Sequence, residues 1–191
     1  MEYIMGRIRD RGHDGGNLWR WQTIERLARL NGWTKGAELG VWRGETFKHL
    51  VKTCKNLHMT GVDLYEPQPD NGGPETWTPG ENGHAWDHNA YYNDLLAFCE
   101  QFSGRAQIIK DYTTEAAKQI EDESLDFVFI DADHSYEGVI RDVGAWACKV
   151  RPGGYVMGHD IHFPTVQKAV NEIYGENKYH VEDDFVWWVQ K

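Results

Sequence analysis

Apolar positions along this chain switch repeatedly between a helical period and a strand period. From Leu18 to Leu30, apolar residues recur at helical spacing (Leu18, Trp21, Ile24, Leu27, Ala28), and Asn31-Gly32 supplies a stop signal. Ala37 to Val41 reads as a short strand, Glu45 to Cys54 as a helix, and Met59 to Leu64 as a second strand carrying Asp63 near its end. Tyr91 to Phe102 returns to helix, Ala106 to Lys110 is a third strand, and Thr113 to Ile120 is another helix. Phe127-Val128-Phe129-Ile130 is an apolar run of β type, followed by a helical stretch. Arg151-Pro152-Gly153-Gly154 then turns the chain into a second apolar run, Tyr155-Val156-Met157. Thr165 to Tyr174 is a helix, and Tyr179–Val181 with Phe185–Val189 reads as a closing hairpin. Strands alternating with helices predict an α/β fold: a doubly wound, mainly parallel sheet with helices on both faces.

Two stretches fit neither period. Residues 66–90, EPQPDNGGPETWTPGENGHAWDHNA, concentrate proline, glycine and tryptophan and read as an insertion or lid loop. Residues 1–16 read as a mobile N-terminal arm, in which Arg7, Arg9 and Arg11 are interrupted by Asp10. The 191 residues otherwise suit a single domain, with no internal repeat. A formal charge of −10 argues against a nucleic-acid surface. No apolar run approaches the length of a membrane span, and no signal-peptide pattern opens the chain. Cys54, Cys99 and Cys148 form no CxxC pair and read as reduced thiols of a cytoplasmic protein.

The ends of the strands carry the chemistry. The first late apolar run delivers Asp131, Asp133 and His134; the second ends in His159-Asp160. If these runs are neighbouring parallel strands, all five side chains gather at the sheet edge where open α/β folds bind ligands. Upstream, AELGVWRGET (37–46) spans a strand-to-helix junction. Gly40 and Gly44 allow a tight turn, and the following helix offers free N–H groups to an anion. Glu38 precedes the first glycine. The spacing is not G-x-G-x-x-G and lacks the Lys-Ser/Thr of a phosphate loop, which disfavours NAD and ATP. Asp63 closes the second strand, where a carboxylate can accept hydrogen bonds from both hydroxyls of a ribose.

With IDADHSYEGV, RPGG and GHD in the second half, these residues resemble the class I S-adenosylmethionine-dependent methyltransferases. The likeness is to the small bacterial O-methyltransferases related to macrolide-sugar and catechol O-methyltransferases. It runs from about residue 33 to the C-terminus, apart from the 66–90 loop. The resemblance implies a seven-stranded, Rossmann-like sheet whose last strand is antiparallel, a place that FVWWVQK suits. It implies that Glu38, Gly40 and Gly44 line the methionine part of the cofactor, with Trp42 and Arg43 in the same loop. Asp63 would hold the ribose, Asp111 and Tyr112 would flank the adenine, and Asp131 would lie near the sulfonium. An acid followed by a small hydroxyl residue is the commoner pattern at the adenine, so Tyr112 is a departure.

A neutral hydroxyl is a poor nucleophile, so methyl transfer to oxygen gains from a cation that lowers its pKa or a base that takes its proton. The resemblance implies that Asp131, His159 and Asp160 could hold Mg²⁺ or Mn²⁺. An acidic or Asp-Asn pair is more familiar than His159-Asp160, and imidazole is softer than Mg²⁺ prefers. His134 occupies the place of a Lys or His base and, with Asp131, forms the catalytic pair; His159 is the base if no metal binds. Asp133 reads as structural.

His84 and His88 flank Asp87 at helical spacing but read as polar loop residues. Trp77, Trp86, Tyr91 and Tyr92 could wall an acceptor or simply pack the loop, and Trp187-Trp188 reads as core and interface. The expectation is O-methylation of a small hydroxylated acceptor, a sugar or an aromatic natural product, by an enzyme whose relatives often self-associate into homo-oligomers. Two alternatives stay open: a metal-dependent hydroxylase or hydrolase using Asp131, His134, His159 and Asp160, and a non-catalytic cofactor-binding module.

Overall fold

Seven strands form one sheet in the computed structural model, which describes residues 18–66 and 87–191. The expected arm over 1–16 and nearly all of the expected lid, with His84, Trp77 and Trp86, lie outside the described residues. The strands are β1 (Lys35–Leu39), β2 (His58–Asp63), β3 (Ala106–Lys110), β4 (Leu125–Ile130), β5 (Val150–Gly158), β6 (His180–Val181) and β7 (Trp187–Gln190). Their order across the sheet is β3-β2-β1-β4-β5-β7-β6. The first five run parallel, and β7 is antiparallel to both of its neighbours. The two late apolar runs are therefore adjacent and parallel, as the site reading required.

Helices α1 (Arg20–Asn31), α2 (Glu45–Thr53), α3 (His88–Gln101), α4 (Thr113–Ala117), α5 (Tyr136–Trp146) and α6 (Pro164–Tyr174) cover both faces. The sorting follows from the two-residue repeat of the strands. In β4, Phe127 and Phe129 join Ile24, Leu27, Phe47, Leu50 and Leu95 in one core. The alternate Val128 and Ile130 join Val139, Val143, Trp146, Val166 and Val170 in the other. Every residue of β4 is buried, as a central parallel strand demands. Each buried Phe contributes about 1.5–3 kcal/mol.

Local signals fix the helix ends. Gly32, at φ +64°, closes α1 by returning its N–H to the Ala28 carbonyl. Asp87 accepts from the Ala90 N–H at the start of α3, and Ser135 accepts from the Gly138 N–H at the start of α5. Pro164 opens α6, where its missing N–H costs nothing.

Two expectations are corrected. Arg151-Pro152-Gly153-Gly154 does not turn the chain; it forms a bulge inside a longer β5, between the pairs Leu125–Val150 and Phe127–Tyr155. The Arg151 guanidinium donates to Asp126, which also accepts from the Thr34 and Lys35 backbone, so the bulge is tied to the start of β1. The closing hairpin is interrupted by a 3-10 turn at Asp183–Phe185, and its second strand begins at Trp187. Trp187 is buried, while Trp188 stacks between Tyr155 and His180. Cys54 and Cys99 are buried and Cys148 exposed, all as free thiols. Among the described residues, no helix is long and apolar enough to cross a membrane.

Candidate active site

Parallel strands deliver their carboxyl ends to one rim, and there the sequence places Glu38, Asp63, Asp111, Asp131 and His159-Asp160. The loop after β1 is shaped by the protein itself. Gly40 has φ +80°, and a Cβ there would lie 2.1 Å from the Asp131 carbonyl oxygen. Gly44 has φ +81°, and its Cβ would meet Leu95 at 2.6 Å. Gly40 is thus required by a close backbone neighbour, and Gly44 is favoured by its left-handed backbone.

Asp63 braces that loop. Its two oxygens accept from the Trp42 and Tyr65 N–H groups, each at 2.8 Å. Each oxygen retains a further lone pair. The Asp111 N–H donates to the Asp63 carbonyl at 3.2 Å, and the Asp111 carboxylate accepts from the Tyr112 N–H. Tyr112 is exposed at the start of α4. The Arg43 guanidinium lies over the rings of Trp42 (5.2 Å) and Tyr91 (5.4 Å). Of the tyrosines of α3, Tyr92 packs on Tyr65 after β2, and Tyr91 meets Trp42 edge-on after β1.

Glu38 is 2% exposed, and its Oε2 has no hydrogen-bond partner among the described residues. Burial, followed by the charge of Asp131, pushes its pKa well above the usual carboxylate range.

Asp131, His134, His159 and Asp160 meet as expected. His134 Nε2 lies 3.0 Å from Asp160 and 3.5 Å from Asp131. These are ion-pair distances, but the ring N–H is not aligned as a hydrogen bond to either oxygen. His159 Nδ1 lies 3.2 Å from Asp160 and 3.5 Å from Asp131. Burial alone would lower the imidazole pKa of His134, but the Asp131 and Asp160 carboxylates push it up to about 9. Burial would lower His159 as well, but the Asp131 charge above all, with contacts to Asp160 and Asp184, raises its pKa well above the usual range. Burial would raise Asp131, yet the two histidines and Arg20 hold it at about 2. Asp160 is likewise held far below the ordinary range against its burial, by contacts with His134 and His159. As placed, His134 is held between two carboxylates that favour its protonated form.

Asp133 faces its own loop, accepting from the Ser135 N–H and pairing with Arg141, which bears out its structural reading. The group whose ligand atoms all lie within 4.8 Å of one another is Asp131, His134 and Asp160. His159, the imidazole that the sequence gave to the metal set, turns its Nδ1 to the same two carboxylates, while its Nε2 lies 3.5 Å from Asp184.

Two residues of this corner were not read from the sequence. Arg20, the first residue of α1, donates from Nε to Thr46 (3.1 Å) and lies 3.5 Å from Asp131. Asp184, in the 3-10 turn at φ +56°, accepts the Arg20 backbone N–H at 2.7 Å. The signal for Arg20 was its place four residues before Ile24, in line with the buried stripe of α1. Asp184 had no comparable signal.

A family described as "Methyltransferase domain" matches residues 37–161, a span that includes Glu38, Asp63, Asp131, His134, His159 and Asp160 but neither Arg20 nor Asp184. The chain is similar to the uncharacterized protein y4gI of Sinorhizobium fredii (strain NBRC 101917 / NGR234), at 29% identity over 86 residues. That match covers 45% of this chain and 9% of the relative, so it spans less than a tenth of that protein's length. Among solved structures, the chain resembles CalS11, a calicheamicin methyltransferase, with a TM-score of 0.65 at 15% identity over 89% of this chain and 77% of that one. CalS11 is also described as a TDP-rhamnose 3'-O-methyltransferase. The O-methyltransferase NovP gives 0.63 at 17% identity over 90% and 79% of the two chains. An O-methyltransferase from Bacillus cereus in complex with SAH gives 0.59 at 16% identity over 90% and 80%. At such identities these structures establish a shared fold.

Proposed function

Because this chain belongs to the methyltransferase domain family, we propose that it moves a methyl group from S-adenosylmethionine to a hydroxyl of a small acceptor. The carrying observation is Glu38, a buried carboxylate with an unpartnered oxygen on a rim that also bears Asp63, Asp111 and Asp131. Such a donor set suits a ligand with an ammonium, a sulfonium and a ribose. Glu38 and the Gly40–Gly44 turn would hold the amino-acid end, Asp63 the ribose, and Asp111 with Tyr112 the adenine. Trp42 and Arg43 would line the loop, and Asp131 would face the sulfonium. When bound, the cofactor supplies an electrophilic methyl group. SAH, held by the Bacillus cereus neighbour, is the product left when that group departs.

The protein's own part is to orient the acceptor and manage its proton. In a site without a cation, His134 in its neutral form would accept that proton from the acceptor hydroxyl, once the acceptor replaces one of its carboxylate contacts. Asp131, His134 and Asp160 also fit a divalent cation, which would lower the pKa of the acceptor hydroxyl. Two carboxylates and one imidazole suit Mn²⁺ better than Mg²⁺. A sugar acceptor is supported by the TDP-rhamnose 3'-O-methyltransferase activity named for CalS11.

The test is calorimetric titration with SAH. One molecule should bind per chain, and Asp63→Ala should weaken binding by about 1–3 kcal/mol through lost hydrogen bonds to the ribose. Absence of any binding by the wild-type protein would overturn the cofactor reading. Retention of Mn²⁺ binding in that case would point to the metal-dependent hydrolase or hydroxylase alternative.

A further inference from the structure

Arg20 is held at two points and open at a third. Its backbone N–H is fixed by Asp184 at 2.7 Å, and its Nε by Thr46 at 3.1 Å with Asp131 at 3.5 Å. Its two terminal nitrogens have no hydrogen-bond partner among the described residues. The guanidinium therefore presents a pre-positioned fork, the geometry that matches a carboxylate by paired hydrogen bonds. Little side-chain entropy would be lost on binding, because the stem is already anchored.

The surroundings define the ligand. Thr46 belongs to the first turn of α2, whose N-terminus carries no side-chain cap. Its open N–H groups and partial positive charge favour an anion. Glu38, whose buried Oε2 is unpartnered, belongs to the same cluster: it pairs with Phe129 across the sheet, and Asp131, 3.5 Å from Arg20, donates its N–H to the carbonyl of the next residue, Leu39. A cation receptor and an anion receptor therefore stand side by side, the arrangement complementary to an α-amino acid. The family match begins at residue 37, so Arg20 lies outside the part of the chain that carries the family signature.

We infer that Arg20, with the first turn of α2, grips the α-carboxylate of the cofactor's methionine portion while Glu38 takes the ammonium, an assignment that rests on the cofactor reading proposed above. Arg20 thus makes α1 part of the binding site. The Asp184 contact in turn couples the turn between β6 and β7 to that grip.

The experiment compares two ligands on the full chain by calorimetry: SAH, and 5'-methylthioadenosine, which keeps the nucleoside and sulfur but lacks the amino-acid carbons. Arg20→Met should weaken SAH by about 10- to 100-fold, as expected for hydrogen bonds between charged groups. It should leave 5'-methylthioadenosine within about twofold of wild type, since an unused group contributes nothing. Unchanged SAH affinity would overturn the assignment. An equal loss for both ligands would also overturn it, because it would mean that Arg20 only props α1 against α2. Should Arg20→Met not fold, Arg20→Lys makes the same comparison with a smaller SAH-selective loss of about 3- to 10-fold, because Lys keeps the charge without the fork. Failure of wild-type protein to bind SAH is a separate result, which removes the cofactor reading together with this one.

Discussion

Gly40 and Gly104 share a left-handed backbone, with φ of +80° and +83°, but not a setting. A Cβ on Gly104 meets nothing within 4 Å, whereas one on Gly40 would lie 2.1 Å from the Asp131 carbonyl. Gly104→Ala should therefore cost only the backbone term, about 1–2 kcal/mol. Gly40→Ala should cost more than about 3 kcal/mol, because the end of β4 must move as well. Urea denaturation of the two variants reads the difference, and equal costs would contradict the close approach of β1 and β4. A second comparison separates the two histidines. Mn²⁺ titration followed by electron paramagnetic resonance should show binding lost in His134→Ala and weakened less in His159→Ala; the reverse order would favour the set read from the sequence, Asp131, His159 and Asp160. The acidic and imidazole residues at strand ends were legible because each closes an apolar run. Arg20 was not, since it opens a helix, and only its alignment with Ile24 marks it as inward-facing. Asp184 owes its burial to a left-handed turn and to the backbone of a residue far away in sequence, neither of which has a local pattern.

Helix α5 meets α4 through a charge. Asp142 is 1% exposed, accepts from the Thr113 hydroxyl, and leaves its other oxygen unpartnered among the described residues. Burial pushes its pKa up to about 6, against the opposing effects of Thr113 and Arg141. The folded chain therefore keeps this proton at a pH where the unfolded chain has released it. Asp142's contribution is fully present below the unfolded pKa near 3.8, falls as pH rises through about 6, and is then constant. Asp142→Asn, which never ionises, should become more stable relative to wild type by roughly 2 kcal/mol between pH 4 and pH 7. Parallel denaturant melts at the two pH values measure it, and a flat difference would mean that Asp142 is solvated. The same element scale shows the limits of periodicity. Helix and strand types followed from apolar spacing, but the Arg151–Gly154 bulge resembled a turn because proline and glycine serve both. The neighbour order β3-β2-β1-β4-β5-β7-β6 lies in no local pattern; the alternation of elements implied only a mainly parallel sheet, and the family resemblance only seven strands with the last antiparallel.

At the scale of the whole molecule, one rim is assembled from pieces that span the sequence: α1, the turn after β1, the ends of β2, β4 and β5, and the turn before β7. Arg20, Glu38, Asp131 and Asp184 are brought together only by folding nearly the whole chain, so a ligand bound there is bound by the folded state alone. Binding must then stabilise the fold by mass action. SAH at about 100 times its dissociation constant should add about 2.7 kcal/mol. For a domain of this size that corresponds to a rise in Tm of roughly 5–10 °C. Differential scanning fluorimetry with increasing SAH should show the midpoint climbing without a plateau well above saturation, since the stabilisation grows with the logarithm of free ligand. Arg20→Met should displace that curve to higher SAH concentration by the same factor as its loss of affinity. A midpoint insensitive to SAH at concentrations where calorimetry records binding would mean that the ligand occupies a locally ordered surface, and that the rim is not the place where the chain's distant parts and the cofactor meet.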